Sequence, residues 1–170
     1  MDEGRRPFGL LAGAEIDHVE VFVSDRAAAV DWYWRVLGLE PVAAWQHWAT
    51  PRGPLMLSSA HGRSMVALFE REPCPDRQAE HHRLAFRVSG PEFISFARIG
   101  ATGPVYDESG RPLDALTPVD HGESFSVYFC DPWGNRCEVT TYDAQYVTVH
   151  GDVGSAIRAD TRSPDAPISR

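Results

Sequence analysis

The chain has 170 residues, 43% hydrophobic and 11% aromatic, which is enough for one globular domain with its own core. A formal net charge of −8 argues against nucleic acid and anionic membrane surfaces as partners, because both are bound by basic residues set against phosphates. All sixteen basic residues are arginine, which excludes chemistry that needs a lysine amine.

Residues 1–14, with Gly4, Pro7, Gly9 and Gly13, read as a flexible leader with no signal-peptide pattern. No apolar run approaches the roughly 20 residues of a membrane helix, so a cytoplasmic protein is the expectation. The first strand follows. Val19, Val21 and Val23 recur with period two, which puts Ile16, His18, Glu20 and Phe22 on the opposite face. Ser24 or Asp25 caps a predicted helix running through Ala27, Val30, Tyr33, Trp34 and Leu37, and Gly38 stops it. Residues 40–48 are predicted as a strand, 51–54 as a turn, and 55–58 and 64–70 as two strands joined by 60–63.

This β-α-β-β-β order recurs after a linker, 71–79, that contains Pro73 and Pro75. Leu84, Phe86 and Val88 alternate, Ser89-Gly90-Pro91 breaks the strand, and Glu92 to Ile99 reads as a helix ended by Gly100. A strand over 103–108, a turn-rich loop over 109–120, a strand over 124–130, the turn Asp131-Pro132-Trp133-Gly134-Asn135 and a last strand over 137–142 complete the module. A spacing of roughly 65 residues exceeds solenoid periods and points to duplication of a small module. The domain plan is a leader, one domain over 15–142 built from modules 15–70 and 80–142, and a tail over 143–170 that is loosely packed or ordered against a partner.

In the last strand Arg136, Glu138 and Thr140 share a face opposite Val139 and Thr141. A carboxylate on a sheet face, joined by a histidine from the first strand, is two-thirds of a divalent metal site, and His81 or His82 is the available third ligand. Tyr142 has the parity of Glu138 and is the better candidate acid/base group; Tyr128 and His121 are candidate ligand contacts. The three cysteines, Cys74, Cys130 and Cys137, have no close metal-ligand spacing, and their odd number argues against a disulfide framework.

The stretches Ile16-Asp17-His18-Val19, Ala29 to Leu39, Leu84-Ala85-Phe86-Arg87-Val88 and Asp131 to Val139 together resemble the vicinal oxygen chelate superfamily of glyoxalases, extradiol dioxygenases and bleomycin-resistance proteins. The resemblance runs from about residue 15 to about 142. It implies an α+β fold in which two βαβββ modules form a curled mixed sheet with a cleft, and a homodimer in which the tail finds something to pack against. It also implies a metal-dependent glyoxalase-like or dioxygenase-like enzyme. His18, His82 and Glu138 would hold Fe, Mn, Ni, Co or Zn, a small oxygenated substrate would chelate that metal, and Tyr142 and Glu138 would be catalytic. Arg83, His121 and Tyr128 would contact substrate.

One residue departs from the family pattern: Arg83 stands where a ligating histidine is expected. Its guanidinium would either pair with Glu138 in place of a metal or face an anionic substrate. The alternative reading is therefore a metal-free binding or drug-sequestration protein of the bleomycin-resistance type, whose acidic, tryptophan-rimmed cleft holds a cationic drug.

Overall fold

The computed structural model describes residues 16–59, 62–71, 82–99, 104–151 and 157–158, and the chain divides into two compact units, 1–72 and 73–170. The leader, most of the linker and His81 lie outside the described residues.

The first unit contains β1 (His18–Val23), α1 (Arg26–Leu37), β2 (Glu40–Pro41), a 3₁₀ helix (Ala43–Trp48), β3 (Leu55–Ser58) and β4 (Met65–Glu70). Its sheet order is β1-β4-β3-β2, with β1 parallel to β4 and the other pairs antiparallel. α1 begins where the Asp25 carboxylate accepts the Ala28 N–H at 2.9 Å and ends at Gly38, whose φ of 65° suits a residue without Cβ. Arg26 ties the turn at 50–53 to the start of the helix by donating from Nη1 to the Thr50 and Gly53 carbonyls at 3.1 and 2.7 Å.

The buried face of α1 is Ala29, Trp32 and Tyr33; of the residues that marked the helix in the sequence, Tyr33 is buried while Trp34 is 53% exposed. Ala27 to Ala29, Val30 and Trp32 to Trp34 make the helix apolar around most of its girth. Sequence periodicity therefore offers two stripes, and packing on the sheet selects the i, i+3, i+4 set.

The predicted strand over 40–48 is also corrected, since pairing stops at Pro41 and the chain winds into a 3₁₀ turn. Ala43 to Trp48 has no β-branched residue to favour extension. Three residues per turn eclipse Trp45 and Trp48, whose rings stack at 4.4 Å and 19°.

The second unit contains β5 (Leu84–Arg87), α2 (Gly90–Ile99), β6 (Val119–Asp120), β7 (Phe125–Cys130), β8 (Arg136–Thr141), α3 (Ala144–His150) and β9 (Ile157–Arg158). Its sheet order is β5-β8-β7-β6-β9, with β5 parallel to β8 and β9 parallel to β6. The unit runs β-α-β-β-β before α3 and β9, but its second strand is β6, inside the stretch predicted as a loop, and not 103–108; the fold is α+β with a mixed sheet in each unit. α2 starts at Gly90 rather than Glu92, because the Ser89 N–H and hydroxyl both donate to the Glu92 carboxylate, at 2.9 and 2.5 Å, and Pro91 fits the first turn.

Phe125, Val127, Phe129, Cys137, Val139 and Thr141 are buried on one face of the sheet, and Phe93 of α2 and Val147 of α3 are buried with them. Burial pushes both cysteine thiols up, Cys130 to about 11, so they stay protonated and behave as small apolar residues. The buried Asp131 shapes the turn before β8 by accepting the Trp133 and Asn135 N–H groups at 2.9 and 2.8 Å.

Two expectations change in this unit. Of the strand predicted over 103–108, the described part forms only isolated bridges, from Tyr106 to Pro112 and Cys130. The segment after 142 is not a featureless tail, since it supplies α3 and β9. Seven helical residues carry too little periodicity to stand out from sequence, and Val147 is buried only because α2 is there to cover it. Among the described residues no helix is long and apolar enough to cross a membrane.

Candidate functional site

Each unit turns one sheet face to its helices and leaves the other for chemistry. In the first unit the strand registers align His18 with Met65, Met65 with Ser58, and Ser58 with Glu40, a row that crosses all four strands on the face away from α1. His18 is held by its neighbour, with Nδ1 2.8 Å from the Asp17 carboxylate. That contact favours the tautomer with the proton on Nδ1 and leaves the Nε2 lone pair directed outward, as a metal ligand or a proton acceptor needs. Beside this row lies a cavity of about 340 Å³ lined by Glu40, Val42, Trp45, Ser58 and Met65 among others.

In the second unit the face away from the helices is polar even on the inner strands. Ala85 of β5, Glu138 of β8 and Tyr128 of β7 form one row; Arg87, Thr140 and Ser126 form the next. The Ser126 hydroxyl lies 2.8 Å from Glu138 Oε1 and 3.0 Å from the Thr140 hydroxyl, joining two strands below the carboxylate. The Tyr128 hydroxyl lies 2.9 Å from His121 Nε2, and the two rings meet edge-on. The Arg83 guanidinium covers the Tyr128 ring at 4.6 Å from its centroid. Burial raises the Tyr128 pKa and Glu138 raises it further, while Ser126 and Arg83 act against them. The phenol thus stays protonated at neutral pH and is available as a donor.

Four predicted residues, Arg83, His121, Tyr128 and Glu138, are thus brought together on one sheet. Of the two roles expected for Arg83, the ion pair with Glu138 does not form among the described residues; the guanidinium instead stacks on Tyr128. Tyr142 falls just past the end of β8, 59% exposed, with the Arg87 guanidinium 4.9 Å from its ring centroid. His82 precedes β5 and is exposed. On the strand's alternation it has the parity of Leu84, opposite to that of Arg83 and Ala85.

The second unit therefore does not fit a two-ligand share of a metal centre. Beside Glu138 it sets a guanidinium, which has no lone pair to give, and an imidazole nitrogen already bonded to a phenol. Within either unit, no three His, Cys, Asp or Glu side chains gather at metal-holding distance among the described residues. Ser126 and Thr140 are site residues that the sequence reading missed. The signal for Ser126 was present, as a polar residue two before Tyr128 in a strand that otherwise reads Phe125, Val127 and Phe129.

The model of the Glyoxalase/Bleomycin resistance protein/Dioxygenase superfamily matches residues 15–139. A search of proteins with curated functions returned no match. Among solved structures, the oxidase ChaP-H1 is 22% identical with a TM-score of 0.54, over 76% of this chain and 96% of its own. A superfamily member from Sphaerobacter thermophilus is 19% identical with a TM-score of 0.52, over 77% of this chain and 99% of its own. A glyoxalase/dioxygenase from Nostoc punctiforme is 20% identical with a TM-score of 0.52, over 75% and 90%. At these identities the likeness is one of fold.

Proposed function

Because the chain belongs to the Glyoxalase/Bleomycin resistance protein/Dioxygenase superfamily, we propose that it acts on a small oxygenated organic acid at the polar face of its second sheet, with Arg83 as the anchor in place of a metal. The observation that carries this reading is the Arg83 guanidinium resting on Tyr128, on the same face as Glu138. In this mechanism the guanidinium edge binds the substrate carboxylate. Glu138, steadied through Oε1 by Ser126, takes a proton from the carbon next to a carbonyl. The Tyr128 hydroxyl donates to the developing enolate oxygen, with His121 behind it to exchange the proton. Transfer of the Tyr128 proton to that oxygen gives the enol, a keto–enol isomerisation with no oxidant or reductant, and the proton held by Glu138 passes to water while His121 returns one to Tyr128.

The test is thermal stabilisation by a panel of 2-oxo and phenolic acids, phenylpyruvate among them, with and without chelator, joined to elemental analysis of the purified protein. The expected outcome is stabilisation that survives chelator and is lost in Arg83→Ala. Stoichiometric Fe, Mn, Ni, Co or Zn, or stabilisation that requires metal, would return the protein to the metal-dependent reading with His18, His82 and Glu138 as ligands.

A second reading is favoured by the first unit's cavity. The Glu40 carboxylate makes no hydrogen bond or ion pair among the described residues, and it lines that cavity with the Trp45 indole, a setting for an organic cation. This is the drug-sequestration alternative. Stabilisation by cationic glycopeptide antibiotics, abolished in Glu40→Gln, would support it.

A further inference from the structure

We infer that the C-terminal strand β9 is a positioning element, which by pairing with β6 holds the turn that presents His121 to Tyr128; the inference deepens the reading of the second sheet as the site. β6 is two residues long and pairs with β7 only through Val119 to Ser126 and Asp120 to Phe125. At the edge of a sheet so short a ladder would fray. It is not at the edge, because β9 pairs on its outer side, Val119 to Ile157 and Asp120 to Arg158.

The turn that carries the imidazole starts at the next residue. The His121 N–H donates to the Ser124 carbonyl at 2.9 Å, and the Asp120 carboxylate accepts the Gly122 N–H at 2.7 Å. Gly122 has a φ of 85°, a conformation that a residue with Cβ adopts only at a cost. This turn sets His121 Nε2 2.9 Å from the Tyr128 hydroxyl.

The helix α3, which precedes β9 in the chain, is itself fastened. Val147 of α3 is fully buried, and the Asp143 carboxylate accepts the Gly90 N–H at the start of α2, at 2.7 Å. Gly90 leaves no room for a side chain, since a Cβ there would meet Tyr146 at 2.8 Å. α3 and β9 both lie beyond residue 139, where the superfamily match ends, so His121 is oriented by a part of the chain that the match does not cover. The Glu138, Ser126 and Thr140 contacts lie between β7 and β8 and do not depend on β9.

Two variants separate this role from general stability. One ends the chain after Gly151, keeping α3; the other, Ile157→Pro, keeps the length and disrupts β9 pairing. The readout is the ring-nitrogen NMR signals of His121 without ligand, assigned with His121→Ala. Both variants are expected to move those signals to the values of a free imidazole, while a chain ended after Arg158 leaves them unchanged.

Phenylpyruvate affinity should fall about two- to tenfold in either variant, the worth of one hydrogen bond, and adding His121→Ala should lower it no further. Unchanged ring signals in both variants, or losses of affinity that multiply, would overturn the inference. Moved signals with an affinity indifferent to His121→Ala would support the role of β9 and remove the reading of the site.

Discussion

The two units share one topology and spend their free sheet face differently. In the first, the ionisable residues His18 and Glu20 sit on β1, at the sheet edge, and the adjacent β4 presents Met65, Ala67 and Phe69. In the second, Glu138, Thr140, Ser126 and Tyr128 sit on β8 and β7, with pairing strands on both sides. An edge residue faces water and keeps its reach toward a ligand. An inner-strand residue is half buried, so it needs cross-strand partners, and those partners fix its protonation and direction. The lesson is that the two units repeat one frame, while position within the sheet decided which of them holds a hydrogen-bonded network.

The largest expected effect would break this contrast outright. Glu138→Gln is expected to lower turnover of an accepted 2-oxo acid by about 10²–10⁴-fold, the usual worth of a positioned acid or base, while His18→Gln leaves it within a few-fold. Equal losses in the two variants, measured as steady-state kcat/KM, would mean that the units act on substrate together. Next come the cores. Leu57→Ala and Phe93→Ala each empty a fully buried position and should cost about 2–5 kcal/mol in urea unfolding. Four of the five tryptophans lie in the first unit, so a fluorescence transition that Leu57→Ala moves and Phe93→Ala does not would make the units thermodynamically separate.

Smaller effects sharpen the comparison at the helix starts. Asp25→Ala should cost about 1 kcal/mol by removing the cap of α1, whereas Ser89→Ala should cost less, because Glu92 still receives the backbone N–H of residue 89. The Tyr128 phenol titrates above its ordinary value of 10.0, chiefly from burial and then from Glu138. Its contribution to stability is therefore present below that value and lost as pH rises through the folded pKa. Glu138→Gln should move the phenol downward and Arg83→Ala should move it upward, read by ultraviolet difference titration.

The smallest effect is at Asp107, whose pKa is lowered from 3.8 to about 2, first by the Ser109 hydroxyl and then by the Arg111 backbone N–H. Its stabilisation is present above 3.8 and lost as pH falls through about 2, so Asp107→Asn should flatten the acid limb of a pH–stability curve there.

Much of this was legible in the residues themselves. Period-two alternation in β1, β5, β7 and β8 and the punctuation at Asp25, Gly38 and Gly134 are local signals, each written within a few positions, and they fixed the repeated β-α-β-β-β order. The same alternation put Glu138 on the exposed side of its strand, and the family pattern marked Arg83 as the odd residue. What alternation lacks is any record of neighbours on other strands. Arg83 lay equally open to pairing with Glu138 or facing an anionic substrate, and its rest on the Tyr128 ring was out of reach because it depends on β7 lying beyond β8.

Likewise α1 had two apolar stripes until a sheet covered one, and residues 43–48 had no long-range partner to keep them extended. The residues of α3 and β9 showed no period because their order comes from α2 and β6, segments far away in the chain. The sequence by itself determined the module order and the inventory of chemical groups, since those follow from steric and polar preferences of adjacent residues. Only the tertiary structure decided which groups meet, since contacts such as His121 to Tyr128 and β9 to β6 exist only after the strands between them have paired.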